Sequence, residues 1–205
     1  MEDYCKDVIA HYKTLSGETT LKDARTPFCP DGILTEADEC TRGELAGSAC
    51  SLLMKDLWLA RLSRPDLQRC ICELATRLNC WSRNEDKRIK RLMFYMNSPW
   101  HYRLIGKVND EPSELRLLLF VGADLCGNPL TTKSTSGGYL VLAGPNTWFP
   151  LMWVAKRQTA TSRATTEAEM VSFATSVFAE AMPCMDLWSL ILGREIELFI
   201  LEDNE

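Results

Sequence analysis

Histidine is scarce, at two in 205 residues, and none of the nine cysteines stands in a C-x-x-C pair, so the ligand sets of structural zinc are missing. The odd cysteine count also excludes a fully paired disulfide framework. Reduced thiols acting as small apolar side chains in a cytosolic or nuclear compartment are the expectation. No stretch approaches the ~20 apolar residues of a membrane span. The opening Met1-Glu2-Asp3-Tyr4-Cys5-Lys6 lacks the basic start and apolar run of a secretory signal. The reading is a soluble intracellular protein, cytoplasmic or nuclear, with no membrane partner. Cations are short as well: 23 Lys and Arg stand against 28 Asp and Glu, a formal net charge of −5. That balance excludes a surface basic throughout, the usual footprint of nucleic-acid binding.

What is present is an apolar fraction of 46%, enough to bury one core of ordinary size or two small ones. The charge is unevenly spread. Residues 83 to 107 carry Arg83, Lys87, Arg88, Lys90, Arg91, Arg103 and Lys107 against Glu85 and Asp86, whereas the last twelve residues carry Arg194 against five acids. Residues 1–34 hold a short helical candidate, Tyr4 to Leu15, and then turn formers; they read as the remnant of a preceding domain or a linker. Residues 35–100 read as a helical segment. An apolar helix over Glu44 to Ala60 is stopped by Ser63-Arg64-Pro65, and a second places Leu67, Ile71, Leu74, Ala75 and Leu78 at helical spacing. A third, from about Asn84, sets Ile89, Leu92, Met93 and Met96 against Lys87, Arg88, Lys90 and Arg91. That basic face is either solvated or a phosphate contact.

Residues 101–205 turn extended. Tyr102 to Val108, Leu115 to Val121, Tyr139 to Leu142 and Trp148 to Ala155 read as strands, the last three as an antiparallel meander. Thr166-Glu167-Ala168-Glu169 forms a capping-box pattern opening a helix, with Val171, Ala174, Val177, Phe178 and Ala181 on its buried side. Pro183 interrupts it, Gly193 ends the next helix, and Glu195 to Leu201 alternates as a further strand. The helical crossover between Arg157 and Gly193 makes that strand parallel to Leu115 to Val121. The fold class is α+β, with a mixed sheet behind a helical segment.

Five motifs then follow in order: Gly122-Ala123-Asp124-Leu125-Cys126-Gly127, Ser134-Thr135-Ser136-Gly137-Gly138-Tyr139, Trp153-Val154-Ala155-Lys156-Arg157-Gln158, Thr166-Glu167-Ala168-Glu169 and Glu202-Asp203-Asn204. Upstream stand Gly47-Ser48, Arg64-Pro65-Asp66, and Lys90-Arg91 with Tyr95. Together they make the chain resemble a stretch of the Pol polyprotein of copia-type LTR retrotransposons, from the end of the reverse transcriptase into a truncated ribonuclease H domain. The resemblance covers about Leu45 to Glu205 and not the first 34 residues. The polymerase's own Asp-Asp pair is absent.

The resemblance implies a ribonuclease H-like sheet, three antiparallel strands plus one parallel and incomplete at its C-terminus. It implies cleavage of RNA in an RNA/DNA hybrid during reverse transcription, with the rest of the Pol polyprotein as a further partner. Catalysis in that family uses Mg²⁺, with Mn²⁺ an alternative, held by carboxylates because hard cations want oxygen ligands. Carried over, the catalytic and metal-binding residues are Asp124, Glu169 and Asp203. The first family acid falls on Gly122, two residues before Asp124, and the fourth lies past residue 205, so an impaired nuclease is expected. The rival reading is a non-catalytic nucleic-acid-binding or interaction module in which Lys87, Arg88, Lys90, Arg91, Lys156 and Arg157 contact phosphates.

Overall fold

A computed structural model describes residues 1–98, 100–127 and 132–202. The chain divides into two compact units, Met1–Arg103 and Leu104–Glu205.

The first unit is helical: α1 (Glu2–Ser16), the short α2 (Glu36–Glu39), α3 (Ala49–Leu62), α4 (Gln68–Ala75) and α5 (Arg83–Asn97). Its core takes Cys5, Val8, Ile9 and Tyr12 from α1, Leu52, Leu53 and Leu59 from α3, Ile71 and Leu74 from α4, and Ile89, Leu92, Met93 and Met96 from α5. The opening helix is therefore a wall of this core, although residues 1–34 read as a remnant. Gly17 closes α1 in the left-handed conformation, φ 72°, where glycine alone carries no Cβ penalty. Ser82 and Glu85 form a reciprocal capping box at the start of α5. Asp86 anchors the preceding loop, accepting from the backbone N–H of Glu44 at 2.6 Å and from Trp81 Nε1 at 2.8 Å. Gly43 makes that approach possible, since a Cβ there would lie 2.6 Å from the Ser82 carbonyl oxygen.

The second unit holds β1 (Arg116–Asp124), β2 (Thr135–Ala143), β3 (Trp148–Arg157), α6 (Thr165–Ser176), a π-helical stretch Val177–Ala181, α7 (Met182–Leu192) and β4 (Leu198–Glu202). The sheet order is β3-β2-β1-β4, with β1–β2 and β2–β3 antiparallel and β4 parallel to β1 through Leu117↔Leu198 to Val121↔Glu202. The helical crossover thus delivers the parallel pair that its length requires. Leu117, Leu119 and Val121 alternate inward and meet Leu140, Leu142, Ala181 and Ile196.

Three expectations need correction. Tyr102 to Val108 forms no strand: only Lys107 pairs, with Trp148. Asn109 and Asp110 then donate their N–H groups to Thr147 Oγ1 at 3.0 and 3.1 Å, which turns the chain away after one pair. The capping box at the start of α6 is displaced. The N-cap is Ala164, without a side-chain cap, and Glu167 accepts the Arg163 N–H at 2.7 Å. Finally, the buried side of α6 is Ala168, Glu169, Ser172 and Ser176, while Val171 and Phe178 face solvent. The cause is close approach to a glycine pair. A Cβ on Gly138 would sit 2.7 Å from Ser176 Oγ, so only small residues fit the helix face laid on β2.

Candidate functional site

The motifs read separately along the sequence meet in space at the ends of β1, β2 and β3. Gln158, following β3, donates from Nε2 to Ser136 Oγ on β2 at 3.0 Å and to the Ala168 carbonyl in the first turn of α6 at 2.9 Å. Its Oε1 accepts from Ser162 at 3.0 Å, and its backbone N–H donates to Ser134 O at 2.8 Å. Gln158, Ser134, Ser136 and Ser162 are all buried, so the satisfied network fixes the start of α6 over the sheet. One turn further along α6, Ser172 Oγ donates to the carbonyls of Gly122 on β1 at 2.7 Å and Gly137 on β2 at 3.2 Å. Glu169, three residues before Ser172 on the same helix face, is buried at 5% exposure.

Asp124 is the last residue of β1 and is exposed, opposite Thr135. Among the described residues, nothing lies within 4 Å of where a Cβ on Gly122, two residues back, would stand. Gly122 is also the first residue of β1 beyond the described ladder with β4, which ends at Val121↔Glu202. Asp203 lies outside the described residues. Among the described residues no group of three His, Cys, Asp or Glu side chains is placed to hold a metal ion.

Two further motifs join in the helical unit. Arg64, almost fully buried, donates from Nε and Nη2 to the Asp66 carboxylate at 2.9 and 2.8 Å, and the Tyr95 hydroxyl donates to the same carboxylate at 2.8 Å. The Arg-Pro-Asp turn is thereby clamped to α5 by a fork of charge-assisted bonds. Desolvation and the neighbouring Asp66 charge push the Tyr95 hydroxyl up to about 12.

The cations proposed for phosphates are largely engaged within the chain. Lys87 pairs with Asp38 at 2.6 Å and donates to the Ile33 carbonyl at 2.8 Å; Arg88 pairs with Glu73 and Lys90 with Glu18. The Lys87 ammonium and the Thr35 hydroxyl hold the Asp38 carboxyl below its ordinary range. Arg91 donates to Thr26 O and Oγ1, an uncharged partner. Lys156 is exposed and Arg157 half-buried, at the end of β3, and neither makes an ion pair among the described residues. A cavity of about 270 Å³ in the helical unit is lined by the cations Arg83, Lys87 and Lys90 together with the acids Glu18, Asp38, Glu44 and Asp86, so it is not a basic pocket.

Sequence reasoning gave no role to Gln158 or Ser172, yet these two hold α6 to the sheet. The available signal was the run of small residues Ala168, Ser172 and Ser176 at intervals of four, opposite Gly137-Gly138. Comparison with protein-family models, with curated proteins and with solved structures returns no match.

Proposed function

We propose that the chain is a fragment of a copia-type retrotransposon Pol protein whose second unit has a ribonuclease H-like fold, descended from a nuclease acting on RNA/DNA hybrids and catalytically impaired. The observation that carries this reading is the convergence of four motifs on one end of a β3-β2-β1-β4 sheet with one parallel pair. Gly122, Ser136, Gln158 and Ala168, one from each motif, are joined through Gln158 and Ser172, with Glu169 buried beside them. A hybrid nuclease needs acids at just such a strand end and helix start, to hold Mg²⁺ against the scissile phosphate. Impairment follows from Gly122, which supplies no carboxylate where the resemblance places the first acid.

The test is cleavage of an RNA/DNA hybrid by the full chain with Mg²⁺ and then Mn²⁺. No cleavage above the metal-only background is expected with either ion. Robust cleavage abolished by Glu169→Gln would overturn the impairment. The nucleic-acid-binding alternative is weakened by the internal pairing of Lys87, Arg88 and Lys90. Log affinity for duplex DNA should then fall with log salt by roughly 2 or less, the contribution of about two phosphate contacts.

A further inference from the structure

The helical crossover of the second unit presents a row of apolar side chains outward. The residues turned to the sheet run Ala168, Ser172, Ser176, Ala181, Met185 and Trp188, the five-residue step falling in the π-helical stretch. Half a turn round lie Met170, Ala174, Phe178, Pro183, Leu187 and Leu190, all exposed. Met170 and Phe178 are each 68% exposed and Leu190 is 81% exposed. Spaced by four, four, five, four and three residues, they form one crest on a helical run of ~30 Å. Val171, Phe173, Met182 and Ile191 widen it. Scattered apolar side chains on a surface need no explanation, but a continuous line of this kind marks an interaction site.

Charge decides what kind of partner fits. From Ala164 to Gly193 the acids are Glu167, Glu169, Glu180 and Asp186, and there is no Lys or Arg. Glu167 and Asp186 are exposed and Glu180 half-exposed, flanking the crest, whereas Glu169 is buried on the opposite side. A second copy laid against the crest would bring acids against acids. An anionic bilayer would be repelled by the same flanks.

We propose that this crest docks an amphipathic α-helix from another protein, with its apolar stripe on Met170, Phe178, Leu187 and Leu190 and Lys or Arg at its margins facing Glu167, Glu180 and Asp186. Two helices packed along an apolar seam, with complementary charges beside it, derive affinity from the seam and orientation from the charges. This inference does not depend on the nuclease reading: it concerns the outer side of α6 and α7, away from Glu169 and Ser172.

The probe is a leucine/lysine peptide of ~18 residues with its leucines at helical spacing, titrated into the full chain by calorimetry beside a leucine/glutamate peptide of the same pattern. The leucine/lysine peptide should bind and the leucine/glutamate peptide bind at least about tenfold more weakly, the preference shrinking as salt screens the flanks. Phe178→Asp with Leu190→Asp should abolish binding. Glu180→Lys with Asp186→Lys leaves the crest intact and should reverse the ranking of the two peptides, a result that does not depend on how the first variant folds. Equal affinity for both peptides overturns the proposal. So does self-association of the chain alone, seen by sedimentation and removed by Phe178→Asp, which would assign the crest to a second copy. Binding to anionic vesicles, lost in the same variant, would assign it to a lipid surface.

Discussion

The two units are of nearly equal length but dispose of their apolar residues differently. In Met1–Arg103, four helices close around one core in which Leu52, Leu53, Leu59, Ile71, Ile89, Leu92, Met93 and Met96 are inaccessible to solvent. In Leu104–Glu205 the sheet buries Leu117, Leu119, Leu140 and Leu142 on its α6–α7 side, but the outer faces of α6 and α7 stay apolar and exposed. The contrast has a geometric origin. Helices that surround a core can each turn one stripe inward, whereas the α6–α7 run lies on β2 through glycines and small residues. Close approach at Gly137 and Gly138 selects Ala168, Ser172 and Ser176 for the inner face of α6, and its large apolar side chains Met170, Val171 and Phe173 are left on the outer one.

The fully enclosed core has its own weak point, and breaking it gives the largest expected effect. Asp56 on α3 has no exposed surface, and neither carboxylate oxygen has a hydrogen-bond partner. Tyr4 and Cys5 of α1 and Cys70 of α4 are among the titratable groups that feel its charge. Burial raises the carboxyl from 3.8 to about 8, so the acid is held neutral in the folded state. A folded-state value above the unfolded one means that stability is fully present below the unfolded value, near pH 4, and is lost as pH rises to about 8. At ~1.4 kcal/mol per unit the loss is on the order of 5 kcal/mol. Asp56→Asn, of the same shape but without the titration, should flatten the dependence of urea unfolding on pH between 4 and 8 and stabilise the chain most at the alkaline end. An unchanged slope would remove Asp56 as its source.

Truncation tests the contrast between the units directly. Leu52→Ala removes a fully buried side chain and should cost about 2–5 kcal/mol through lost transfer energy and a residual cavity. Leu190→Ala removes a side chain of the same size from the outer crest and should stay within about 0.5 kcal/mol. Denaturant unfolding of the two variants supplies both values. A Leu190 cost near that of Leu52 would mean that the crest is covered in solution.

Much of this was legible in the sequence where periodicity and length act together. The faces of α4 and α5, the antiparallel meander and the parallel placement of β4 follow from apolar spacing and connection length, which physics ties to structure. The inner face of α6 was not legible. Hydrophobicity pointed to Val171, Ala174, Val177, Phe178 and Ala181, of which Val177 and Ala181 do pack on the core, but α6 itself was placed by how near its backbone can approach Gly138, a steric quantity that an apolar pattern does not encode. The internal engagement of Lys87, Arg88 and Lys90 was hidden for another reason. Their partners Asp38, Glu73 and Glu18 lie up to 72 residues away in the chain and belong to other elements. At the candidate site, the motifs gave no sign that Gln158 and Ser172 would hold α6 to the sheet.

The smallest stability effect carries the sharpest test of the site, because two glycines on neighbouring strands should respond in opposite ways. Gly138→Ala forces a Cβ to within 2.7 Å of Ser176 Oγ and 3.1 Å of Val154 Cγ1, and overpacking of that kind costs about 1–3 kcal/mol. Ser176→Ala in the same chain removes the nearer clash and should recover part of the loss. At Gly122 a Cβ meets no described residue within 4 Å, so Gly122→Asp should change stability by no more than about 0.5 kcal/mol. Its effect should appear instead in Mg²⁺ affinity. The new carboxylate would stand on the residue whose carbonyl Ser172 holds, with Ser172 one helical turn from Glu169. Each further hard oxygen replaces a water in the cation's shell. Calorimetry should therefore show Mg²⁺ bound at least about tenfold more tightly by Gly122→Asp than by the parent chain, with the gain lost when Glu169→Gln is added. A gain that survives Glu169→Gln would show that the two positions do not share an ion. No gain at all would remove Gly122 as the place where the first acid was lost, and with it the physical argument for an impaired nuclease.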